Sequence, residues 1–305
     1  MIEQYVNKFI ENLPDHLKNA ESPIIMDLVL DGGVFNGSYL IGALYFLKEM
    51  EKRKYIKIDR ISGCSVGSIA GYLYLVDGLE LFTSLYDLIN KEFKETYTLQ
   101  SVKKLKKYFS EYLKEDLFKK INNKLFITYN NVLKCKKMVK SRYTSYDDLI
   151  HTIIKSCFFP YLINGNILYK DKYLDGISPF VFHQQKGKKI LYLELFSSDK
   201  IGSLINIKNE KTNYHRILAG LLDIHNFFIK ESRTSMCSYV NQWTIVDSIY
   251  YRIKSMFEKL FIYIISFLLI LKKYLPIDIK NTILYKLISK ISHGIFVVLL
   301  ETYCL

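Results

Sequence analysis

The sequence predicts an α/β domain on a mainly parallel sheet, followed by a helical C-terminal region. Three observations carry this. Ile24–Leu30 (IIMDLVL) is a short, almost continuous apolar run of the kind buried in parallel strands, and it leads at once into Gly32, Gly33 and Gly37. Ile58–Ser62 is a second short run, and it leads into Gly63–Gly67. After each glycine turn the apolar spacing becomes helical, at Leu40, Leu44 and Leu47 and then at Ile69, Tyr72, Leu73 and Val76. Two strand–turn–helix units in succession place a parallel sheet under helices on both faces.

The remaining elements follow along the chain. Residues 1–22 read as a short polar helix, broken at Pro23. The stretch 79–122 reads as helical, with Leu99, Val102, Leu105, Phe109 and Leu113 recurring at helical spacing. Lys103, Lys104, Lys106 and Lys107 crowd between them, as on a solvated helix or on an amphipathic helix lying on a membrane. Leu125–Thr128 reads as a strand. Ser145 is placed to cap a helix running through Ser156, with Asp147 and Asp148 in its first turn, where the helix dipole favours acids. A strand near 167–174 leads to Asp175-Gly176, and Ile190–Leu195 is another. From 243 to 305 the chain is apolar, aromatic and helical in character. Its uncharged run Leu260–Leu271 is twelve residues long, and a spanning helix needs about 20, so a core helix or an interfacial anchor is expected. The domain reading is therefore 1–23 as a helical lead-in, 24–242 as the α/β domain, and 243–305 as an apolar helical region, either packed on the core or membrane-associated.

Composition narrows the function classes. Half of the 305 residues are hydrophobic, enough for a sizeable core. The net charge of +13 favours anionic surfaces. Six of the 43 basic residues are Arg, and base and phosphate reading leans on the Arg fork, so no nucleic-acid partner is expected. The five cysteines (Cys64, Cys135, Cys157, Cys237, Cys304) have no metal-type spacing and read as free thiols. The N-terminus has neither the basic nor the apolar region of a secretory signal, so an intracellular, cytoplasmic protein, peripheral on membranes, is expected. No oligomeric state follows from the chain.

Three motifs carry chemistry. Gly63-Cys64-Ser65-Val66-Gly67 sits between a strand and a helix, the context of a serine held in a sharp turn with its side chain exposed. Gly63 and Gly67 let that turn close without Cβ clashes. Cys64, one place before the turn's centre, reads as a small buried hydrophobe. Asp31-Gly32-Gly33-Val34-Phe35-Asn36-Gly37 lacks the third-position glycine of a dinucleotide loop and the Lys-Ser/Thr pair of a P-loop. It suits an oxyanion hole, with the amides of Gly32, Gly33 and Val34 as donors. Asp175-Gly176 closes a strand. The histidines after Ser65 (His151, His183, His215, His225, His293) stand in no recognisable motif, so Asp175 is the more pointed candidate for a base. A malonyl-transferase-like enzyme has His before its serine, where this chain has Cys64.

Together DGGVFNG, GCSVG and YLDGI resemble the patatin-like phospholipases over roughly residues 24–195. The resemblance implies a three-layer α/β/α fold, no metal or other cofactor, and hydrolysis of acyl esters of phospholipids or related acyl lipids by a Ser–Asp dyad. Carried over by motif, Ser65 would be the nucleophile and Asp175 the base, with Gly37 and Gly176 as motif glycines. The chain departs from the pattern at three places. Val34 stands where the family has a third glycine, Asn36 where it has a basic residue, and Ile177 where it has Gly or Ala. A β-branched residue resists positive φ, so ordinary backbone is expected at Val34, or else a distorted loop.

Overall fold

The computed structural model describes residues 2–110, 115–196, 200–204, 206–207, 210–274 and 298. Leu113, His293, Cys304 and almost all of 275–305 lie outside the described residues. Seven strands form one sheet: β1 (Ile24–Leu30), β2 (Ile56–Cys64), β3 (Leu125–Asn131), β4 (Lys136–Lys140), β5 (Tyr173–Leu174), β6 (Lys189–Leu193) and β7 (Cys237–Tyr239). The order is β4-β3-β2-β1-β6-β7, with β5 paired to β3. The four central strands β3, β2, β1 and β6 are parallel. The short strands β4, β5 and β7 pair antiparallel at the margins. The helices are α1 (Ile2–Glu11), α2 (Asp15–Lys18), α3 (Gly37–Lys52), α4 (Val66–Leu75), α5 (Leu81–Thr96), α6 (Leu105–Tyr108), α7 (Glu115–Ile121), α8 (Tyr146–Ser156), α9 (Tyr214–Lys230) and α10 (Ile245–Tyr274).

Alternation along β1 divides the molecule. Met26, Leu28 and Leu30 point into the large core shared with α1, α3, α4, α5, α8 and α9. Val29 points to the opposite face, where it packs with Ile190, Tyr192, Phe182 and Val240, and Trp243 and Tyr251 close over them. Asp27 on this second face is buried between Arg60 and Lys188. The second face is thus covered by the segment around Phe182 and by α10. That helix continues across the sheet until Ile265 and Leu269 meet Val132, Leu168 and Leu174 near β3 and β5.

Local signals translate directly in several places. Ser145 Oγ accepts the Asp148 N–H, capping α8 as its spacing requires. Leu40, Leu44 and Leu47 are all buried on α3. The stretch 79–122 is not one helix but α5, a 3-10 turn (Gln100–Lys104), α6 and α7. Its apolar stripe of Leu99, Val102, Leu105 and Phe109 packs into the core, so it is not a face laid on a membrane; Lys103, Lys104, Lys106 and Lys107 stay exposed. The strand expected over 167–174 shrinks to β5, because Tyr169 pairs back onto Tyr173 in a tight turn through Lys170 and Asp171, both at positive φ.

α10 is 30 residues long, yet no helix among the described residues is long and apolar enough to cross a membrane. Nor is it a fully buried core helix. Ile262 and Ile265 are buried, whereas Phe257, Leu260, Phe267 and Leu268 are exposed, Phe257 by 66%.

Helices α3 and α9 approach each other backbone to backbone at two glycines. A Cβ on Gly42 would collide with the Ile217 carbonyl, and one on Gly220 with the Tyr39 carbonyl. Gly42→Ala is therefore expected to lower stability by about 1–3 kcal/mol, measured by denaturant unfolding, despite alanine's better helix propensity.

Candidate active site

The candidate residues converge at the C-terminal edge of the sheet. β2 ends at Cys64 and α4 begins at Val66, so Ser65 is the single residue between them. It is held at φ 49, ψ −129, a strained conformation that turns its side chain out of the sheet. Its amide donates to Ser156 Oγ (2.9 Å), which itself donates to the Thr128 carbonyl (2.6 Å). Ser68 Oγ donates to the Ser65 carbonyl (2.6 Å). A Cβ on Gly63 would strike the Gly67 carbonyl, and one on Gly67 would sit 2.6 Å from the Leu30 and Asp31 carbonyls. The turn therefore closes only with glycine at both positions. Cys64 points into the interior, and burial pushes its thiol pKa well up, as for an inert core residue.

The glycine loop lies against this turn. A Cβ on Gly32 would sit 3.0 Å from Ser65 Cβ, and one on Gly33 would sit 3.0 Å from Leu195 Cβ. A Cβ on Gly37 would run into Val66. Val34 does not take ordinary backbone. It stands at φ 42, in the left-handed region where a β-branched residue is strained by about 1–3 kcal/mol. The surroundings enforce this: Asn36 N–H bonds the Gly33 carbonyl (2.7 Å) and Phe35 N–H bonds the Leu204 carbonyl (3.1 Å). The Gly32 amide donates to Asp31 Oδ1 (3.1 Å), whereas those of Gly33 and Val34 meet no acceptor among the described residues. A cation also lies behind the loop despite Asn36. Arg216 of α9, fully buried, donates through Nη1 to Asn36 Oδ1 (2.6 Å) and is paired with Glu210.

Asp175 follows β5 and is buried. Its Oδ1 accepts the Ile177 N–H (2.9 Å), and its Oδ2 is buried with no donor among the described residues. Burial raises its pKa to about 7; the Ile177 amide and the Ser65 hydroxyl pull it down, and Glu258 pushes it up. Ser65 is thus near enough to act on the carboxyl, although no full hydrogen bond joins the pair. Gly176 has the Thr128 carbonyl where a Cβ would stand, with Cys64 Cβ at 2.9 Å. Ile177, like Val34, is β-branched and at positive φ (52°).

Beside Ser65 runs a narrow apolar cleft of about 70 Å³ among Val34, Phe35, Ile69, Phe82, Leu85 and Leu99. A larger cavity of about 810 Å³ lies elsewhere, between α1 and α3, and is lined by charged residues and none of the site's own. No histidine lines the Ser65 cleft among the described residues. His151 bonds the Tyr169 hydroxyl, His215 lies against Glu210, His183 is exposed, and His225 stacks on Phe9 in the core. No group of three or more His, Cys, Asp or Glu suited to a metal occurs among the described residues.

Two residues that sequence reasoning did not single out enter from α10. Lys254 Nζ bonds Asp31 Oδ2 (2.9 Å). Glu258, buried, accepts from Ser178 Oγ, from Lys137 Nζ (3.2 Å) and from Asn130 Nδ2 (3.4 Å), and that same Asn130 amide donates to the Asp175 carbonyl (2.8 Å). The only local trace of either is a charged residue interrupting an apolar helix.

The raised pKa of Asp175 has a consequence for stability. The folded protein retains this proton between about pH 4 and pH 7, where the unfolded chain releases it. Stability linked to this group is therefore full at low pH and declines until pH passes about 7. Asp175→Asn removes the decline. Its advantage over the wild type in denaturant unfolding is expected to widen across that window to on the order of 4 kcal/mol above pH 8.

Residues 48% of this chain in extent align at 26% identity with the mouse (Mus musculus) omega-hydroxyceramide transacylase, over 156 residues that span only 26% of that protein. Residues 28–177, from β1 to the turn after Asp175, match the family described as patatin-like phospholipase, so this part of the chain is a patatin-like phospholipase domain.

Proposed function

We propose that the protein is a lipid acyl hydrolase of the phospholipase A or lysophospholipase type, working through an acyl-enzyme on Ser65 with Asp175 as base. The observation that carries this reading is the meeting of a strained, outward-turned Ser65 with a buried carboxyl of pKa about 7 at the mouth of an apolar cleft. Asp175 takes the Ser65 hydroxyl proton as Oγ attacks the ester carbonyl. The negative charge on the tetrahedral oxygen is met by the loop amides, chiefly those of Gly33 and Val34. The intermediate collapses, and the leaving alkoxide takes the proton from Asp175. Water, deprotonated in turn by Asp175, releases the fatty acid and frees Ser65. The cleft receives the acyl chain, widening as it enters. The similarity to a transacylase favours a second outcome at the same acyl-enzyme, in which a lipid hydroxyl replaces water as acceptor.

The substrate is taken from an anionic lipid surface, to which the protein binds peripherally. The exposed apolar side of α10 and the lysines beside Leu99 and Val102 at the cleft support this.

A fluorophosphonate probe is expected to label the wild type and not Ser65→Ala, and Asp175→Asn is expected to lower ester hydrolysis at least about 100-fold. Wild-type kcat/KM should rise as pH passes through about 7, where Asp175 becomes available as a base. Labelling that survives Ser65→Ala overturns the assignment. Vesicle binding with no fatty acid released and no acyl transferred would instead mark a membrane-binding scaffold on an old hydrolase fold. Separately, replacing Phe257, Phe267 and Leu268 by Ser in the full chain is expected to weaken flotation with phosphatidylserine-containing vesicles at least about ten-fold.

A further inference from the structure

Asp31 is completely buried at the end of β1, one residue before Gly32. Its Oδ1 accepts the Gly32 amide and its Oδ2 accepts the Leu195 amide (3.3 Å). A carboxylate there has an electrostatic cost for the reaction proposed above. It stands directly behind the loop that must receive a developing negative charge, in surroundings with little water to screen it. Lys254 is the cation that meets it, with Nζ at 2.9 Å from Oδ2. Burial works against the Lys254 charge, but Asp31 outweighs burial and holds the ammonium pKa above its usual value. The ammonium also lies over the Phe196 ring at 4.9 Å, which leaves it little freedom to swing out to solvent.

The helix that carries Lys254 is locked in register. Glu258 lies one turn further on, on the same face, and is held by Lys137, Ser178 and Asn130. Tyr251, one turn earlier, donates its hydroxyl to the Pro179 carbonyl (3.3 Å) and packs on Tyr192. Lys254 therefore reaches Asp31 from a fixed backbone, not from a loose surface helix.

We propose that Lys254 of α10 is a positioning residue of the active site, neutralising Asp31 behind the glycine loop so that the Gly33 and Val34 amides can stabilise the oxyanion. This rests on the acyl-hydrolase reading of Ser65 and extends the site 77 residues beyond the matched domain (from 177 to 254).

The test is a charge cycle in the full-length chain, with a p-nitrophenyl ester of a medium-chain fatty acid as substrate and thermal melting as the check on folding. Lys254→Met is expected to lower kcat by about ten-fold or more with KM changed less than about two-fold, since the lost effect belongs to the transition state. Lys254→Arg should retain most of the activity. Asp31→Asn/Lys254→Met, which removes both charges, should recover about ten-fold relative to Lys254→Met alone. An unchanged kcat in folded Lys254→Met, or a double variant no better than the single, overturns the proposal. If Lys254→Met does not fold, the double variant decides: kcat within about ten-fold of the wild type supports neutralisation, and a larger loss overturns it. Ser65→Ala separates this from the parent reading. Hydrolysis that survives Ser65→Ala removes both; hydrolysis lost in Ser65→Ala but untouched in Lys254→Met removes only this inference.

Discussion

A fully buried carboxylate sits at the end of the central strand β1, and three parts of the molecule meet on it. Asp31 joins three parts of the molecule through its two oxygens: the Gly32 amide, the Leu195 amide just past β6, and the Lys254 ammonium of α10. An isolated buried charge is expensive, and removing one partner of a buried pair costs about 3–5 kcal/mol. The strand end, the glycine loop and the C-terminal helix are therefore bound to one another by the need to satisfy a single side chain. Asp27, on the same face of β1, is treated alike by Arg60 and Lys188.

The second constraint is strain. Val34, Ser65 and Ile177 all stand at positive φ, and none is glycine. They belong to the loop after β1, the turn after β2 and the turn after β5. Such positions persist only where surrounding contacts over-determine them. Here those contacts are identifiable: the Ser156–Thr128 relay under Ser65, the Phe35–Leu204 bond beside Val34, and the Asp175 carboxyl that accepts the Ile177 amide. A core that includes buried α3, α4 and α8 supplies the stability against which this strain is set.

What could be read from the chain was local. Ile24–Leu30 reads as a strand because its apolar run is complete within seven residues, and the Ser145 cap is contained in four. The glycine pair around Ser65 announces its turn for the same reason. The edge strands β4 and β7 carry no such signal; each is short, and β7 is defined by its pairing with β6. Val34 misled because intrinsic preference was overridden by packing against the chain near 204. Lys254 was invisible for a different reason. Its partner lies 223 residues away, and in its own helix it is simply one lysine among several. The patatin-like resemblance reached the elements that local pattern defines and stopped short of the helix that packs on them.

α10 has two sides with different duties. One presents Tyr251, Lys254 and Glu258 to the strand ends; the other leaves Phe257, Leu260, Phe267 and Leu268 open. The exposed Thr244–Ile245 junction is the only covalent tether between this helix and the domain that precedes it. A chain ending there would lose more than an exposed apolar surface. It would have an uncompensated carboxylate behind its glycine loop and a bare sheet face where Tyr251 had been. The exposed and the inward side of the helix therefore cannot be separated by removing it: losing one means losing the Asp31–Lys254 pair with it.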